Sequence, residues 1–148
     1  MMSGLGIRPM TAADTEEVLA MMRVFYASPA LITHGSEDIF RRDVAACVSA
    51  SPYAEGYVLE MDGQTVGYGM LARSFSTEFG KHCVWIEDLY VQEAFRGRGA
   101  GTAFLQYVRQ NNPDAVIRLE VEKENARALH VYRKNGMEEL PYLEMIWK

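Results

Sequence analysis

Apolar positions along the chain recur with two different periods, and the switches between them mark the elements. Leu5 to Pro9 reads as a short first strand. Thr11 with Asp14 three residues on has the form of a capping box, and Val18, Leu19, Met22 and Phe25 follow at helical spacing until Ser28-Pro29 ends the helix. Ser36 is placed to cap a second helix that carries Ile39, Phe40, Val44 and Cys47 and stops before Ser51-Pro52. The period then falls to two. Tyr57 to Met61 and Thr65 to Ala72 flank Asp62-Gly63, a hairpin signal, and a polar connection over Ser74 to Lys81 leads to the apolar, β-branched strand Val84 to Val91. Helical spacing returns in Ala103, Phe104, Tyr107 and Val108. Asn112-Pro113-Asp114 then turns the chain into a strand over Ala115 to Val121. A last helix ends at Asn135-Gly136, and Met137 to Lys148 reads as two short strands around Pro141. No linker, repeat or low-complexity stretch interrupts this pattern, so residues 1–148 read as one mixed α/β domain.

Between the strand ending at Val91 and the helix beginning near Ala103 lies Arg96-Gly97-Arg98-Gly99-Ala100-Gly101-Thr102. The first N–H groups of a helix have no intrahelical partner and the macrodipole is positive there, so main chain alone holds a pyrophosphate where no Cβ intrudes. Alternate glycines remove the Cβ atoms, and Arg96 and Arg98 add charged donors. A Walker A loop needs a Gly-Lys-Ser/Thr ending, which this loop lacks. A dinucleotide fingerprint needs G-x-G-x-x-G in a leading βαβ unit, and the spacing here is G-x-G-x-G two-thirds along the chain. Arg-Gly repeats of nucleic-acid-binding tails come in many copies, and this one is single. The plain reading is a glycine-rich turn with solvated arginines.

Taken with its flanks, the loop is more specific. Arg-x-x-Gly-x-Gly after a strand ending Glu-Asp-Leu-Tyr-Val, with Asn125 through Tyr132 some thirty residues on, resembles the GNAT superfamily of acetyl-CoA-dependent N-acetyltransferases. The resemblance covers nearly the whole chain, from Ile7-Arg8-Pro9-Met10-Thr11-Ala12-Ala13-Asp14 to the helix Ala126–Gly136, and its wording is nearest to the diamine acetyltransferase branch. It implies the GNAT acyl-CoA N-acyltransferase fold, with a central, mostly antiparallel mixed sheet flanked by helices and two parallel strands splayed around the coenzyme. It implies acetyl-CoA as co-substrate, held by Leu89, Tyr90, Val91, Arg96, Gly97, Arg98, Gly99, Ala100, Gly101, Thr102, Asn125 and Ala128. A strand bulge involving Leu89, Tyr90 and Val91 would aim main-chain groups at the thioester. Between Ala27 and Pro52, where such enzymes contact their acceptors, the chain departs from the pattern, so the acceptor does not come with the resemblance.

Amide formation requires the amine to lose a proton, the thioester carbonyl to be polarised and the departing thiolate to be stabilised. Glu87, a carboxylate in an apolar strand, is the candidate base. The resemblance puts a base at its position in the diamine branch, and the plain alternative is a solvated strand carboxylate. Tyr132 is the candidate donor to the leaving sulfur, against the alternative that it is core; a phenol of pKa about 10 is a weaker acid than a thiol of about 8.5, so hydrogen bonding rather than full proton transfer would carry the effect. The expected function is direct acetyl transfer in a ternary complex to a primary amine of a small molecule such as a polyamine or amino acid. Acylation of a protein or peptide amine, and a non-catalytic acyl-CoA sensor, are the alternatives.

Composition narrows the partners. A formal charge of −5 and a pI near 5.2 disfavour nucleic acid, whose binding needs a basic face, and suit a cationic acceptor. No apolar run approaches membrane-spanning length, no basic-then-apolar leader opens the chain, and Cys47 and Cys83 lack C-x-x-C spacing, so a cytoplasmic protein with reduced thiols is expected. His34, His82 and His130 lack metal-ligand spacing, and no metal is expected. Met21, Met22, Met70, Met137 and Met145 read as adaptable core filler, and Glu16, Glu17, Glu37 and Asp38 as solvated helix-end acids. A homodimer is left open.

Overall fold

The structure, a computed structural model, describes residues 4–29 and 31–148. Five strands lie in the order of the chain: β1 (Leu5–Pro9), β2 (Ala54–Met61), β3 (Gln64–Ser76), β4 (Lys81–Val91) and β5 (Val116–Leu119). The first four are antiparallel, and β5 runs parallel to β4. Four helices flank them: α1 (Thr15–Tyr26) and α2 (Glu37–Val48) on one face, α3 (Ala100–Asn111) and α4 (Ala126–Lys134) on the other. The expected mixed, mostly antiparallel sheet between helices is what forms.

Local chemistry accounts for most boundaries. Thr11 and Asp14 form the capping box, which opens a 3-10 turn, Ala12–Asp14, just before α1. Arg8 on β1 grips Asp14 through two hydrogen bonds of 2.8 Å, which hold the Asp14 carboxyl down to about 2 and staple the helix entry to the sheet. Ser36 caps α2 by accepting from the Ile39 amide, and Asp62 and Gly63 both take positive φ, the paired left-handed geometry of a two-residue hairpin. Gly136, φ 89°, ends α4 with the Met137 amide donating back to the Tyr132 carbonyl.

Each face of the sheet seals its own core. Val18, Leu19 and Met22 of α1 and Phe40 and Val44 of α2 pack on Val58, Tyr68, Met70 and Tyr90. On the other side Phe104, Leu105 and Val108 of α3 pack on Leu59, Val66, Leu71, Val84 and Ile86. The Phe104 ring occupies the space where a Cβ on Gly69 of β3 would stand, 2.2 Å from that position. Helix α3 thereby comes close to the sheet, and its N-terminus lies beside the end of β4.

Four expectations change. The polar connection over Ser74–Lys81 shrinks to Thr77–Gly80, because Ser74, Phe75 and Ser76 stay in ladder register with Cys83, His82 and Lys81. The strand expected over Ala115–Val121 is reduced to β5, since its pairing with β4 stops at Ile86 and Leu119. Met137–Lys148 forms no strand: it has no ladder partner, Pro141 supplies no N–H, and Leu143, Met145, Ile146 and Trp147 are exposed. Met145 is therefore not core filler, although Met21, Met22 and Met70 are buried.

Candidate active site

Where β4 and β5 stop pairing, a cavity of about 1290 Å³ opens between the end of β4, the start of α3, the start of α4 and the end of α1. It exceeds the roughly 300–1,000 Å³ that suits a drug-sized ligand and so fits a longer one. Leu89, Tyr90, Val91, Arg96, Gly97, Gly99, Ala100, Gly101, Thr102, Asn125, Ala128 and Tyr132 all line it. Two expected residues do not: Glu87 lies two positions before the lining begins, and the Arg98 guanidinium sits over the Phe95 ring, 5.6 Å from its centre.

At one wall of the cavity the α3 N-terminus is bare. Gly99 is its N-cap in the left-handed region, φ 88°, with no side chain accepting from the first turn, so the Ala100, Gly101 and Thr102 amides have no partner inside the helix. Gly97 also takes a positive φ, and a Cβ on Gly101 would meet only Val131, at 3.8 Å. Arg96 is preset, its Nε donating to the Val91 carbonyl at 2.8 Å while its guanidinium lies over Tyr90. Arg23, Arg127, Lys134 and Glu93 line the same cavity; Arg23 is paired with Glu37, and Arg96, Arg127 and Lys134 leave the cavity cationic within a chain of net charge −5. The sequence reading missed Arg23, Arg127 and Lys134, because nothing in local spacing brings the end of α1 and the outer turns of α4 to the glycine loop. Uncapped amides, absent Cβ atoms and three cations together suit a phosphate-bearing ligand with a long arm.

Helix α4 brings the other expected groups. The Asn125 side chain caps it by accepting from the Ala128 amide at 3.2 Å, so that amide is already engaged. Asn135, at the far end, ties α4 to α3 by donating from Nδ2 to the Thr102 hydroxyl at 3.1 Å. Tyr132 packs among the apolar side chains beneath α3, and no described residue hydrogen-bonds its hydroxyl, which leaves the phenol as a donor at the cavity wall. Burial pushes its pKa up, so it stays protonated at neutral pH.

A bulge does interrupt β4, upstream of the expected Leu89–Val91. Met70 faces Asp88 and the next residue, Leu71, faces Ile86, which leaves Glu87 as the extra residue. The displacement follows from face alternation. Val84 and Ile86 point toward α3, as do Leu89 and Val91, and only an inserted residue between them reconciles even with odd numbers. The same shift turns Asp88 toward α1 and α2, where it is 5% exposed and accepts hydrogen bonds from Tyr26 at 2.7 Å and Tyr68 at 2.8 Å. Glu87 stays at the surface. Partial burial, followed by the nearby charges of Asp88, Asp43 and Glu144, raises its carboxyl above the usual range. Asp43 of α2 is pushed up to about 6, mainly by burial and then by Asp88. The sequence reading named neither Asp43 nor Asp88. An acid at position 88 beside Glu87 was visible, but its face depended on the bulge.

Asp43 carries a stability prediction. Its folded pKa lies above the ordinary 3.8, so its proton stabilises the fold at low pH and that contribution is lost as pH rises from about 4 through about 6. Asp43→Asn is expected to raise the melting temperature at pH 7.5, by an amount equivalent to about 1 kcal/mol once solvent screening of this half-exposed carboxyl is counted, and to leave it nearly unchanged at pH 4. Thermal scans at the two pH values check this, and equal effects at both would refute the assignment.

The sequence matches the model of the acetyltransferase (GNAT) family over residues 15–137, and the chain belongs to that family. It is 30% identical over 109 residues to a thialysine N-epsilon-acetyltransferase of Mus musculus, a match covering 72% of this chain and 60% of that protein. The chain spans about half to three-fifths of the length of the curated relatives it matches. Among solved structures, a possible acetyltransferase from Clostridium difficile 630 superposes with a TM-score of 0.84 at 20% identity, over 99% of this chain and 98% of that one. The aminoglycoside N-acetyltransferase AAC(6')-Iy in complex with CoA superposes with a TM-score of 0.76 at 18% identity, over 97% and 94%. These last two likenesses concern the fold.

Proposed function

We propose that this chain is an N-acetyltransferase, one domain over residues 1–148, that moves the acetyl group of acetyl-CoA to a primary amine of a small molecule by direct attack in a ternary complex. The observation that carries the reading is the convergence, in one cationic cavity, of the uncapped α3 N-terminus, the end of β4 and the free Tyr132 phenol. Acetyl-CoA supplies an activated acyl group on a good leaving thiolate. The amides of Ala100, Gly101 and Thr102, with Arg96, would hold its pyrophosphate, and the backbone of Leu89–Val91 would align its arm. Tyr132 then donates a hydrogen bond where thiolate charge develops. Glu87 takes the amine proton from the bulge just upstream, and its raised basicity suits that task. The acidic surroundings of Glu87, formed by Asp88, Asp43 and Glu144, favour a cationic acceptor over a neutral one. Thialysine and aminoglycosides, in the names of the similar proteins, are amines of this kind. The cytoplasm fits the acetyl-CoA supply and the two free, buried cysteines; no helix of the described residues is long and apolar enough to cross a membrane.

A free-thiol release assay over small amines and peptides tests the whole reading: turnover with small amines supports it, with peptides alone it points to protein acylation, and with none it leaves a sensor. Coenzyme binding is tested independently. Saturating acetyl-CoA is expected to raise the melting temperature, with a stabilisation of about 2.7 kcal/mol at a hundredfold excess over Kd, while NAD and ATP do much less. Absence of both a shift and a calorimetric heat would remove the coenzyme site. For Glu87→Gln, the acidic limb of kcat/KM, expected above pH 4.5 in the parent, should flatten, with a smaller penalty at high pH where free amine is abundant. An unchanged profile would assign deprotonation to another group. The exposed Leu143, Met145, Ile146 and Trp147 form an apolar stretch of the kind that marks an interface, and we take a homodimer as the assembly that covers it, to be checked by light scattering.

A further inference from the structure

We propose that Asp88 is a positioning residue of the coenzyme cavity: by accepting the Tyr26 hydroxyl it ties the end of α1, one wall of the cavity, to the bulge of β4. The inference rests on the coenzyme reading and adds to it a residue that does not touch the ligand. Tyr26 is the last residue of α1. Arg23, Val24 and Phe25 before it and Ala27 and Ser28 after it all line the cavity, whereas Tyr26 points the other way, into the core, onto the Asp88 Oδ1 at 2.7 Å. A helix end has free backbone groups and few packed neighbours, so its position is set by what anchors its last turn. Three polar contacts hold that turn: Arg23 pairs with Glu37, His34 Nδ1 lies 2.7 Å from the Tyr26 carbonyl, and the Tyr26 hydroxyl reaches Asp88, the one of the three that ties it to the strand forming the opposite wall. Around it the Phe25 ring packs against Tyr26, Tyr68 and Tyr90, which couples the anchor to the cavity surface.

The other oxygen supplies the control. Tyr68 donates to Asp88 Oδ2 at 2.8 Å, but Tyr68 lies in mid-sheet on β3, a strand that does not line the cavity. Asp88 is desolvated and without a cation among its hydrogen-bond partners; two phenol donors satisfy it, and burial raises its pKa while those donors lower it. The titratable groups around it are Tyr26 from α1, Tyr68 from β3, Asp43 and Cys47 from α2 and the adjacent Glu87. Loss of either phenol removes one hydrogen bond from the same buried oxygen pair, so the two losses should cost the fold similar amounts. Only the loss of the Tyr26 hydroxyl cuts the tie between that wall and β4.

Coenzyme A is titrated calorimetrically into the parent, Tyr26→Phe and Tyr68→Phe, alongside their melting temperatures. Similar falls in melting temperature are expected, with coenzyme A affinity weakened roughly threefold to thirtyfold in Tyr26→Phe and by less than about twofold in Tyr68→Phe. In an Asp88→Asn background the Tyr26→Phe change should add little further loss of affinity, because both act through one contact. Equal affinity losses in the two phenylalanine variants, or none in Tyr26→Phe, overturn the proposal. Failure of the parent to bind coenzyme A overturns the coenzyme reading instead. Should Tyr26→Phe not fold, amide exchange in the parent decides: coenzyme A must slow the amides of Val24–Ala27, and unchanged exchange refutes the tether.

Discussion

Gly101→Glu is expected to fold as well as the parent and to bind acetyl-CoA roughly a hundredfold to a thousandfold more weakly, since a carboxylate held about 4 Å from a phosphate at an effective dielectric near 20 costs about 4 kcal/mol per charge pair. The two halves of this expectation come from different features. Gly101 is the second residue of α3, with ordinary helical backbone, and its missing Cβ would meet only Val131 at 3.8 Å. An acidic residue in a first turn also favours the helix through the macrodipole. The fold therefore has no reason to resist the change. Gly99 is the poorer position for this test, because at φ 88° any side chain adds strain and confuses folding with binding. Calorimetry with acetyl-CoA and a thermal scan on the same sample check the result. A folded Gly101→Glu protein that keeps the parent's affinity would move the phosphate site away from α3.

Tyr132→Phe should separate chemistry from binding. Phenylalanine keeps the ring that packs beneath α3 and deletes only a hydroxyl that no described residue holds, so stability and coenzyme affinity should remain near those of the parent. Turnover with the amine found by the screen should fall by about 10²–10⁴-fold, the span of one acid–base group. Because the phenol acts where the thiolate leaves, kcat should fall while the KM for the amine holds. Parent-like turnover would make Tyr132 a core residue and leave the thiolate to other donors. A large loss of stability would show that the hydroxyl has a structural partner.

The legible part of the site was contiguous in the chain. The glycine loop, its arginines and the helix that follows are adjacent residues, and backbone chemistry alone puts bare amides at Ala100, Gly101 and Thr102, directly after Gly97 and Gly99. Asn125 as a helix cap was readable for the same reason. Arg23, Arg127 and Lys134 were not, because each reaches the cavity from an element whose local pattern speaks only of its own helix. Strand parity failed at one point. Period-two alternation carried through Glu87 would put Asp88 on the α3 face with Val84 and Ile86, and the bulge puts it on the opposite one. The C-terminal strands failed for a related reason, since an extended apolar sequence becomes a strand only when an edge accepts its hydrogen bonds.

What the sequence determined by itself is therefore local: four helices and their caps, the Asp62-Gly63 hairpin, the alternation of the strands, and a glycine-rich turn between a strand and a helix. These depend on backbone preferences and on the spacing of apolar side chains within a few residues, and both are written in adjacent letters. The tertiary structure decided where β4 and β5 part, which residue of β4 is extra, and hence that Asp88 is buried between Tyr26 and Tyr68 while Glu87 remains at the surface. Those outcomes turn on ladder register between strands and on the fit of Phe104 against Gly69, contacts between residues far apart in the chain whose geometry no local period encodes.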